Sequence, residues 1–288
     1  MKKILLLDKY RNKIFSNWEQ SSKEKGVTLF CAHYDDLSFH FLEKKVKIFV
    51  KKIPLENFKL IYFRTKFGYE EEVSLLASWA KRKKIKVADR ILEKSPYIDR
   101  KSFEYCSLSL NKVPFIESYG ARGEKILEFG DYLSYPLVLK ETDKERGEGV
   151  FLIKNREQFQ QIVEAKKNQF FIVQKFIEND GDIRAFVVGN KVVAAMKRQR
   201  SSKTDFRNNV SQGGTTNCVS LDKNSQQLAV KAAQSMDYDV AGVDLIYDPE
   251  RKKYVVMEVN CGPQFGGLSK ACGINIPAVI LQYLKKKA

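Results

Sequence analysis

The chain has 288 residues, 43% hydrophobic and 12% aromatic, with only 16 Gly and 7 Pro, which is enough apolar material for a buried core and excludes collagen-like, low-complexity and disordered chains. Its 51 Lys and Arg against 35 Asp and Glu leave a net charge of +16, which favours an acidic partner such as nucleic acid, a nucleotide, an acidic peptide or an anionic membrane surface. No apolar run approaches the ~20 residues that cross a bilayer, and residues 4–7 after Met-Lys-Lys are too few for a signal-peptide core, so a cytoplasmic protein is expected.

In chain order, short apolar runs at 4–7, 27–32 and 60–63 alternate with helical-period stretches at 13–23 and 71–84. Buried strands separated by helices predict a small α/β lobe with a parallel sheet over residues 1–95. This lobe carries the clearest lysine clusters, at Lys44, Lys45, Lys47, Lys51 and Lys52 and again over 81–86. They read either as a solvated face or as a patch for an acidic partner. From Pro96, through a polar helical stretch beginning at Arg100, to Pro114, the chain passes into a second unit, residues 96–288. Here 138–140, 150–153 and 170–174 are β-rich, with a crossing helix at 155–165. Residues 182–188 pair with 192–196 through Gly189-Asn190, two residues with easy access to positive φ, as a tight hairpin turn demands. Leu228, Ala229, Ala232, Ala233 and Met236 form one apolar helical stripe, and Ile280, Leu281 and Leu284, after Pro277 in a first helical turn, form another. The later two-thirds is therefore α+β with antiparallel ribbons.

The five cysteines (Cys31, Cys106, Cys218, Cys261, Cys272) are odd in number, scattered and without a CxxC pair, which speaks for reduced thiols and against a disulfide framework or a zinc site. His33 and His40 are the only histidines, so zincins, hydrolase triads and His-carried phosphotransfer are poor readings. The sharpest constellation is a pair of strands, 240–247 and 254–260, joined by Asp248-Pro249-Glu250-Arg251. A hairpin centred near Arg251 sets Asp244 opposite Glu258, about 5 Å apart at Cβ, with Asn260 one pleat along on the same face. Ile246 and Val256 are their expected apolar neighbours, so repulsion between the two acids costs a few kcal/mol at reduced dielectric. A hard divalent cation removes that cost, and oxygen-only ligands specify Mg2+ or Mn2+ over zinc. Lys140 ends the buried run 135–139 and calls for an anion, and the loop after it carries Gly147 and Gly149, which let backbone N–H groups approach phosphate oxygens. Neither GxxxxGK[ST] nor GxGxxG after the first strand is present to hold phosphates instead. Arg198, Arg200, Asp205, Arg207, Asn208 and Asn209 lead into Gly213-Gly214, a run suited to oxyanion or phosphate contacts.

The ordered set Lys101, Lys140, Gly147/Gly149, Gln174-Lys175-Phe176-Ile177, Asp182-Ile183-Arg184, Asp205-Phe206-Arg207-Asn208-Asn209, Gly242-Val243-Asp244 and Met257-Glu258-Val259-Asn260 resembles an ATP-grasp ligase of the RimK type over about residues 96–286. The resemblance implies an N-terminal α/β (pre-ATP-grasp) lobe followed by an ATP-grasp fold of two β-rich subdomains, about 96–175 and 176–288. ATP would then lie between the subdomains. Lys101 and Lys140 would contact phosphates, Gly147 and Gly149 would belong to a closing loop, and Gln174, Lys175, Phe176 and Ile177 would form the adenine linker. Asp182 would be the ribose-side acid, and Arg207, Asn208 and Asn209 nucleotide contacts, with Arg207 and Asn209 at the transferring phosphoryl. Asp244, Glu258 and Asn260 would hold two Mg2+ ions, and Arg198 would clamp a substrate carboxylate or stabilise the tetrahedral intermediate. The family reaction moves the γ-phosphoryl of ATP to a carboxylate, and an amine attacks the acyl phosphate to give an amide, or a hydroxyl an ester. Such chemistry needs charge neutralisation and positioning more than a covalent nucleophile, and a loop that excludes water from the acyl phosphate.

Two departures from the family pattern stand out. Lys175 replaces a common acid, and Cys261-Gly262-Pro263-Gln264-Phe265 replaces a Ser-Pro pair, which leaves the acceptor open. With no His to activate it, Cys261 reads as an unreactive thiol. The favoured function is an ATP-dependent ligase acting on amino acids or on an acidic peptide or protein, with no membrane or nucleic-acid partner and a homo-oligomer left open. The alternatives are a kinase on the same nucleotide grip and a basic nucleic-acid-binding module. Acids at the centre of a phosphate-binding groove speak against the last.

Overall fold

The computed structural model describes residues 3–11, 13–94, 100–143, 148–199 and 215–288. The N-terminal lobe comprises β1 (Lys3–Asp8), α1 (Lys13–Lys25), β2 (Thr28–Ala32), β3 (Leu37–Leu42), β4 (Lys45–Val50), β5 (Ile53–Pro54), β6 (Leu60–Thr65), α2 (Glu70–Arg82) and β7 (Lys86–Val87). The expected parallel sheet is present with order β2-β1-β6-β7. Its central strands read as unbroken apolar runs because both of their faces are buried. Glu70, Glu71 and Glu72 in the first turn of α2 and Lys81 and Arg82 in the last complement the helix dipole, so part of the second lysine cluster has a local structural reason. The antiparallel sheet β3-β4-β5 is absent from the sequence reading, where its lysines masked an alternating strand pattern.

The second unit begins with α3 (Lys101–Leu110), β8 (Ser118–Arg122), β9 (Leu137–Glu141), β10 (Val150–Ile153), α4 (Arg156–Glu164) and β11 (Phe170–Lys175). These strands form an antiparallel sheet of order β10-β9-β11-β8. Phe159 and Val163 of α4 pack against Leu137, Leu139, Ile153, Phe171 and Val173 to give this sheet its own core. There follow β12 (Asp182–Val188), β13 (Lys191–Gln199), β14 (Thr215–Cys218), α5 (Lys223–Ser235), β15 (Val240–Asp248), β16 (Lys253–Cys261), α6 (Gly266–Cys272) and α7 (Ile276–Lys287). Their sheet has the order β14-β13-β12-β15-β16. Val188 pairs with Lys191 across Gly189-Asn190, with Gly189 at φ +64°, the two-residue turn read from the sequence.

The apolar packing groups the units unevenly. Leu5 and Phe63 of the N-terminal lobe share a core with Ala185, Val243 and Leu245, and Trp18 and Tyr62 share one with Phe186 and Leu281. The lobe and the five-stranded sheet are thus fused through apolar contact, to which the β8–β11 sheet adds Ile172 of β11, and Phe115 ahead of β8 bridges to Val256 of β16. Gly262 shows how close that fusion is: at φ +58°, a Cβ there would sit 1.8 Å from the Arg64 carbonyl oxygen, so only glycine fits.

Two further features differ from expectation. Cys218 of β14 and Cys272 at the end of α6 form a disulfide with Cα atoms 5.0 Å apart, while Cys31, Cys106 and Cys261 stand outside any disulfide. A separation of 54 residues carries no spacing signal, so the reading of all five as reduced is corrected. In addition, Asp89, fully buried in the left-handed region at φ +61°, links the lobe to β15. Its Oδ1 accepts from the N–H groups of Asp239 (2.6 Å) and Val240 (3.1 Å), and its own N–H donates to Asp239 Oδ2 at 2.7 Å.

Burial, reinforced by the Asp239 charge, pushes the Asp89 carboxyl up to about 7. A carboxyl with a raised folded pKa holds its proton where the unfolded chain has lost it, so this linkage lowers stability as pH rises from about 4 to 7. Asp89→Asn keeps the Oδ1 acceptor and removes the ionisation. It is expected to stabilise the protein at pH 8 by up to ~4 kcal/mol, three pH units at ~1.36 kcal/mol each, and to leave pH 4 nearly unchanged. Thermal melts of both proteins from pH 4 to 8 check this, and parallel pH profiles would contradict it.

Candidate functional site

Over 182–188 of β12, 194–198 of β13, 240–246 of β15 and 258–260 of β16 the even-numbered positions share one face. At one end that face is apolar, with Phe186, Val188, Ala194 and Met196 buried against the N-terminal lobe and α7. Where this cover stops, charged residues begin. The register sets Arg184 beside Asp244 and Asp244 beside Glu258, Asp182 beside Arg198, and Asn260 beside Gly242. The opposition of Asp244 and Glu258 matches the sequence reading, but the register shifts between Asp244 and Leu245. This bulge leaves Met257 without a rung, so Val256 pairs with Leu245 and joins the opposite core, while Val255 lies beside Ile246. The expectation of Val256 as the apolar neighbour is corrected to Val255, since one extra residue flips the parity of everything behind it.

Asp244 is 1% exposed and does not meet Glu258 as an unpaired charge. Arg184 donates to both its oxygens at 2.7 Å, Arg198 donates to Oδ2 at 3.0 Å, and Asn260 Nδ2 lies 3.4 Å from Oδ2. Arg198, itself 4% exposed, also donates through Nε to Asp182 Oδ1 at 2.6 Å. Asp182, Asp244, Arg184 and Arg198 form a largely buried network whose formal charges cancel. Burial pushes the Asp244 carboxyl up, but the two guanidinium groups outweigh it and hold the carboxyl below its usual range. Asp182 has Arg198 as its ion-pair partner, burial prevails, and its carboxyl is raised. The repulsion expected between Asp244 and Glu258 is thus largely answered by arginine. Asp182 and Arg198, expected at the ribose and at the substrate carboxylate, are both buried and bonded to each other.

The second half of the site comes from α3 and the β8–β11 sheet. Lys140 donates to the Tyr105 hydroxyl at 3.1 Å, and that hydroxyl donates to the Met257 carbonyl at 3.2 Å. Glu104 accepts from the Val259 N–H at 2.7 Å. Burial, and then the Glu258 charge, raises the Glu104 carboxyl well above its usual range. Lys140 is lowered by burial, and the charges of Glu258, Lys101, Glu104 and Asp244 all reach it. Lys140 thus lies within electrostatic reach of Lys101 and Glu104 of α3, Glu258 of β16 and Asp244 of β15. Gln174 is buried, its Nε2 donating to Ser118 Oγ at 2.7 Å. Lys175 bonds the Glu117 carbonyl through its N–H and pairs with Glu250 through its side chain. Ile177 packs with Ile116, Ile246 and Val255. Gly149, at φ +64°, accepts from the Glu141 N–H at 2.8 Å. Gly147, Arg207, Asn208 and Asn209, with Arg146, Arg200 and Asp205, lie outside the described residues. A cavity of about 310 Å³ lined by Glu178, Asp180, Ile183, Lys197, Tyr247 and Tyr254 lies on the reverse side of the sheet, because Ile183 and Lys197 alternate with Arg184 and Arg198.

The sequence reading missed Glu104 and Tyr105, and it assigned Arg184 no role. The signal for Glu104 was an acid on the same helical stripe as Tyr105 and Leu108, three residues after Lys101. Arg184 alternates with apolar residues along β12 and showed no partner until the register was known.

The model of the RimK-like ATP-grasp domain matches residues 84–284. The chain belongs to this family. Among relatives of this RimK-like protein, the probable alpha-L-glutamate ligase of Vibrio atlanticus (strain LGP32) is 40% identical over 159 residues, 53% of this chain and 51% of that protein. The one from Legionella pneumophila (strain Corby) is 41% identical over 157 residues, 53% and 51%. The chain spans about half the length of the curated relatives it matches. Among solved structures, the ATP-grasp ligase PsnB complexed with precursor peptide PsnA2 and AMPPNP superposes with a TM-score of 0.76 at 13% identity, over 99% of this chain and 97% of that one. The RimK domain ATP-grasp protein of Sphaerobacter thermophilus DSM 20745 superposes at 0.73 and 16%, over 98% of each. At such identities the likeness establishes the ATP-grasp fold.

In the RimK-like domain, the donor set of Asp244, Glu258 and Asn260 contains oxygen ligands only, with Asp244 and Glu258 on one rung of two paired strands and Asn260 one pleat along β16 on the same face. This chemistry fits a hard divalent cation. Among the described residues, no three His, Cys, Asp or Glu side chains gather closely enough to hold a metal by themselves, so phosphate and water oxygens would have to complete the shell.

Proposed function

We propose that this chain is an ATP-dependent carboxylate–amine ligase acting on amino acids or peptides. The observation that carries the reading is the juxtaposition of Lys140, on one sheet, with the Asp244–Glu258 rung of the other, bridged by Glu104 and Tyr105 of α3. Lys140 and Lys101 bring cationic charge to an anion that enters between the sheets, and the opposed carboxylates on β15 and β16 suit the cation that accompanies it. Asp244, Glu258 and Asn260 would hold Mg2+, as one ion or two with Mn2+ as a substitute, and the ion would neutralise phosphate charge during transfer. Arg184 and Arg198 keep Asp244 ionised and aimed, and Glu104 keeps β16 and the lysines in register. Support for a peptide or amino acid substrate comes from the names of relatives: glutamate ligases by sequence, and by fold a Chryseobacterium gregarium RiPP-associated ligase in complex with ADP and a leader and core peptide (TM-score 0.75, 16% identity). The subdomain limits 96–175 and 176–288 and a cytoplasmic location belong to the same proposal; among the described residues, no helix is long and apolar enough to cross a membrane.

The reading is tested by incubating the full chain with ATP, Mg2+ and a panel of amino acids and acidic peptides, followed by mass spectrometry. Expected products are ADP, phosphate, and an acceptor heavier by one amino acid residue or lighter by one water. An acceptor that instead gains phosphate as a stable product would make the protein a kinase, and no ATP-dependent product from any pair would end the ligase reading.

A further inference from the structure

The β3-β4-β5 sheet lies outside the matched family domain and contributes no residue to the site. Its pairing, from Leu37 with Val50 to Leu42 with Lys45, puts Leu37, Phe39 and Phe41 on one face with Val50, Ile48 and Val46. This apolar stripe begins inside the lobe, where Ile48 and Val50 are fully buried, and runs out past the core's cover to Phe41, 67% exposed. Phe39 and Phe41 stack at 6.3 Å. The opposite face carries His40, Lys45, Lys47 and Leu42, the last 49% exposed, with Lys44 in the turn. Glu43 is the one acid among residues 37–54, against five lysines. On its outer side β3 has no paired strand among the described residues, so its main-chain groups are open to a further strand.

We propose that the edge of β3 is a docking site for an acidic peptide segment that adds to the sheet as a strand. Such a peptide alternates apolar and acidic residues: the apolar set covers Phe39, Phe41 and Val46, and the acidic set lies on the face of Lys45 and Lys47, within lysine reach across two strand spacings. A second copy of this chain is disfavoured, since it would bring two lysine rows together on molecules of charge +16. Nucleic acid lacks the backbone pattern that an open strand edge and an uncovered aromatic stripe match. The proposal deepens the ligase reading, because the docked segment is then part of the acceptor, held away from the reacting carboxylate.

The test uses the full chain and a fluorescein-labelled Glu-Val alternating peptide of about twelve residues, followed by anisotropy without ATP. Binding is expected to weaken with salt, and by about tenfold or more in a Phe41→Ser/Lys45→Glu/Lys47→Glu variant and for a peptide N-methylated at alternate amides. ATP turnover with a free amino acid should be unchanged in the variant, which also shows that it is folded. Equal affinity for the variant, equal affinity for the N-methylated peptide, or a dimer in sedimentation that Phe41→Ser dissolves would each overturn the proposal. Binding is read without chemistry, so the two readings fail separately: docking without any ligation product removes the ligase reading alone, and ligation of the peptide with the same KM in the variant removes docking alone.

Discussion

Glu258→Ala is expected to reduce Mg2+-dependent ADP formation by ~10³-fold or more, the scale on which removing a group that organises transition-state charge acts. The fold should be kept. Glu258 is only part-buried, and its charge is a leading reason, after burial, that the Glu104 carboxyl is raised. Removing it relieves repulsion at a buried acid while sacrificing no side-chain bond that holds β16 in place; the β15–β16 ladder and the Glu104 bond to the Val259 N–H remain. Turnover measured against Mg2+ concentration, with a melting curve beside it, checks both halves. Undiminished turnover would remove Glu258 from the metal assignment, and a collapse of the melting temperature would mean that its role is structural.

Asp244→Ala should behave in the opposite way, destabilising the protein by ~3–5 kcal/mol in addition to abolishing activity. Arg198 is almost fully buried and divides its guanidinium between Asp182 and Asp244. Without Asp244, two guanidinium groups share one raised carboxylate, and a buried positive charge is left uncompensated. Urea unfolding measures the loss. Asp244→Asn, which retains one acceptor oxygen, should lose less, and Asp244→Ala/Arg184→Leu should recover part of the loss by removing one of the stranded charges. An unchanged urea midpoint for Asp244→Ala would show that the arginines are solvated and that the network carries no stability.

The contrast between these neighbours shows how far the site could be read in advance. Their opposition across a hairpin followed from strand period and turn length, both local properties, and it survived because the bulge falls just beyond Asp244. Val256, on the far side of that bulge, could not be placed. Lys140 was legible as a charge ending an apolar strand, whereas Glu104 and Tyr105, which tie that lysine to β16, were hidden in a helix whose apolar stripe looks like ordinary core.

By itself the sequence determined the periodicities and the charge: a parallel lobe from unbroken apolar runs, antiparallel ribbons from alternation, the Gly189-Asn190 turn, and opposed acids near the end of the chain. Each depends on residues within a few positions of one another, where backbone geometry leaves few options. Only the tertiary structure decided who neutralises whom. Arg184 and Arg198 reach Asp244 from strands some 60 and 46 residues earlier, Cys218 meets Cys272 across 54, and Asp89 caps β15 from 150 away. Such partners are selected by burial, which makes an unpaired charge or donor costly, and burial is a property of the packed chain that no local pattern encodes.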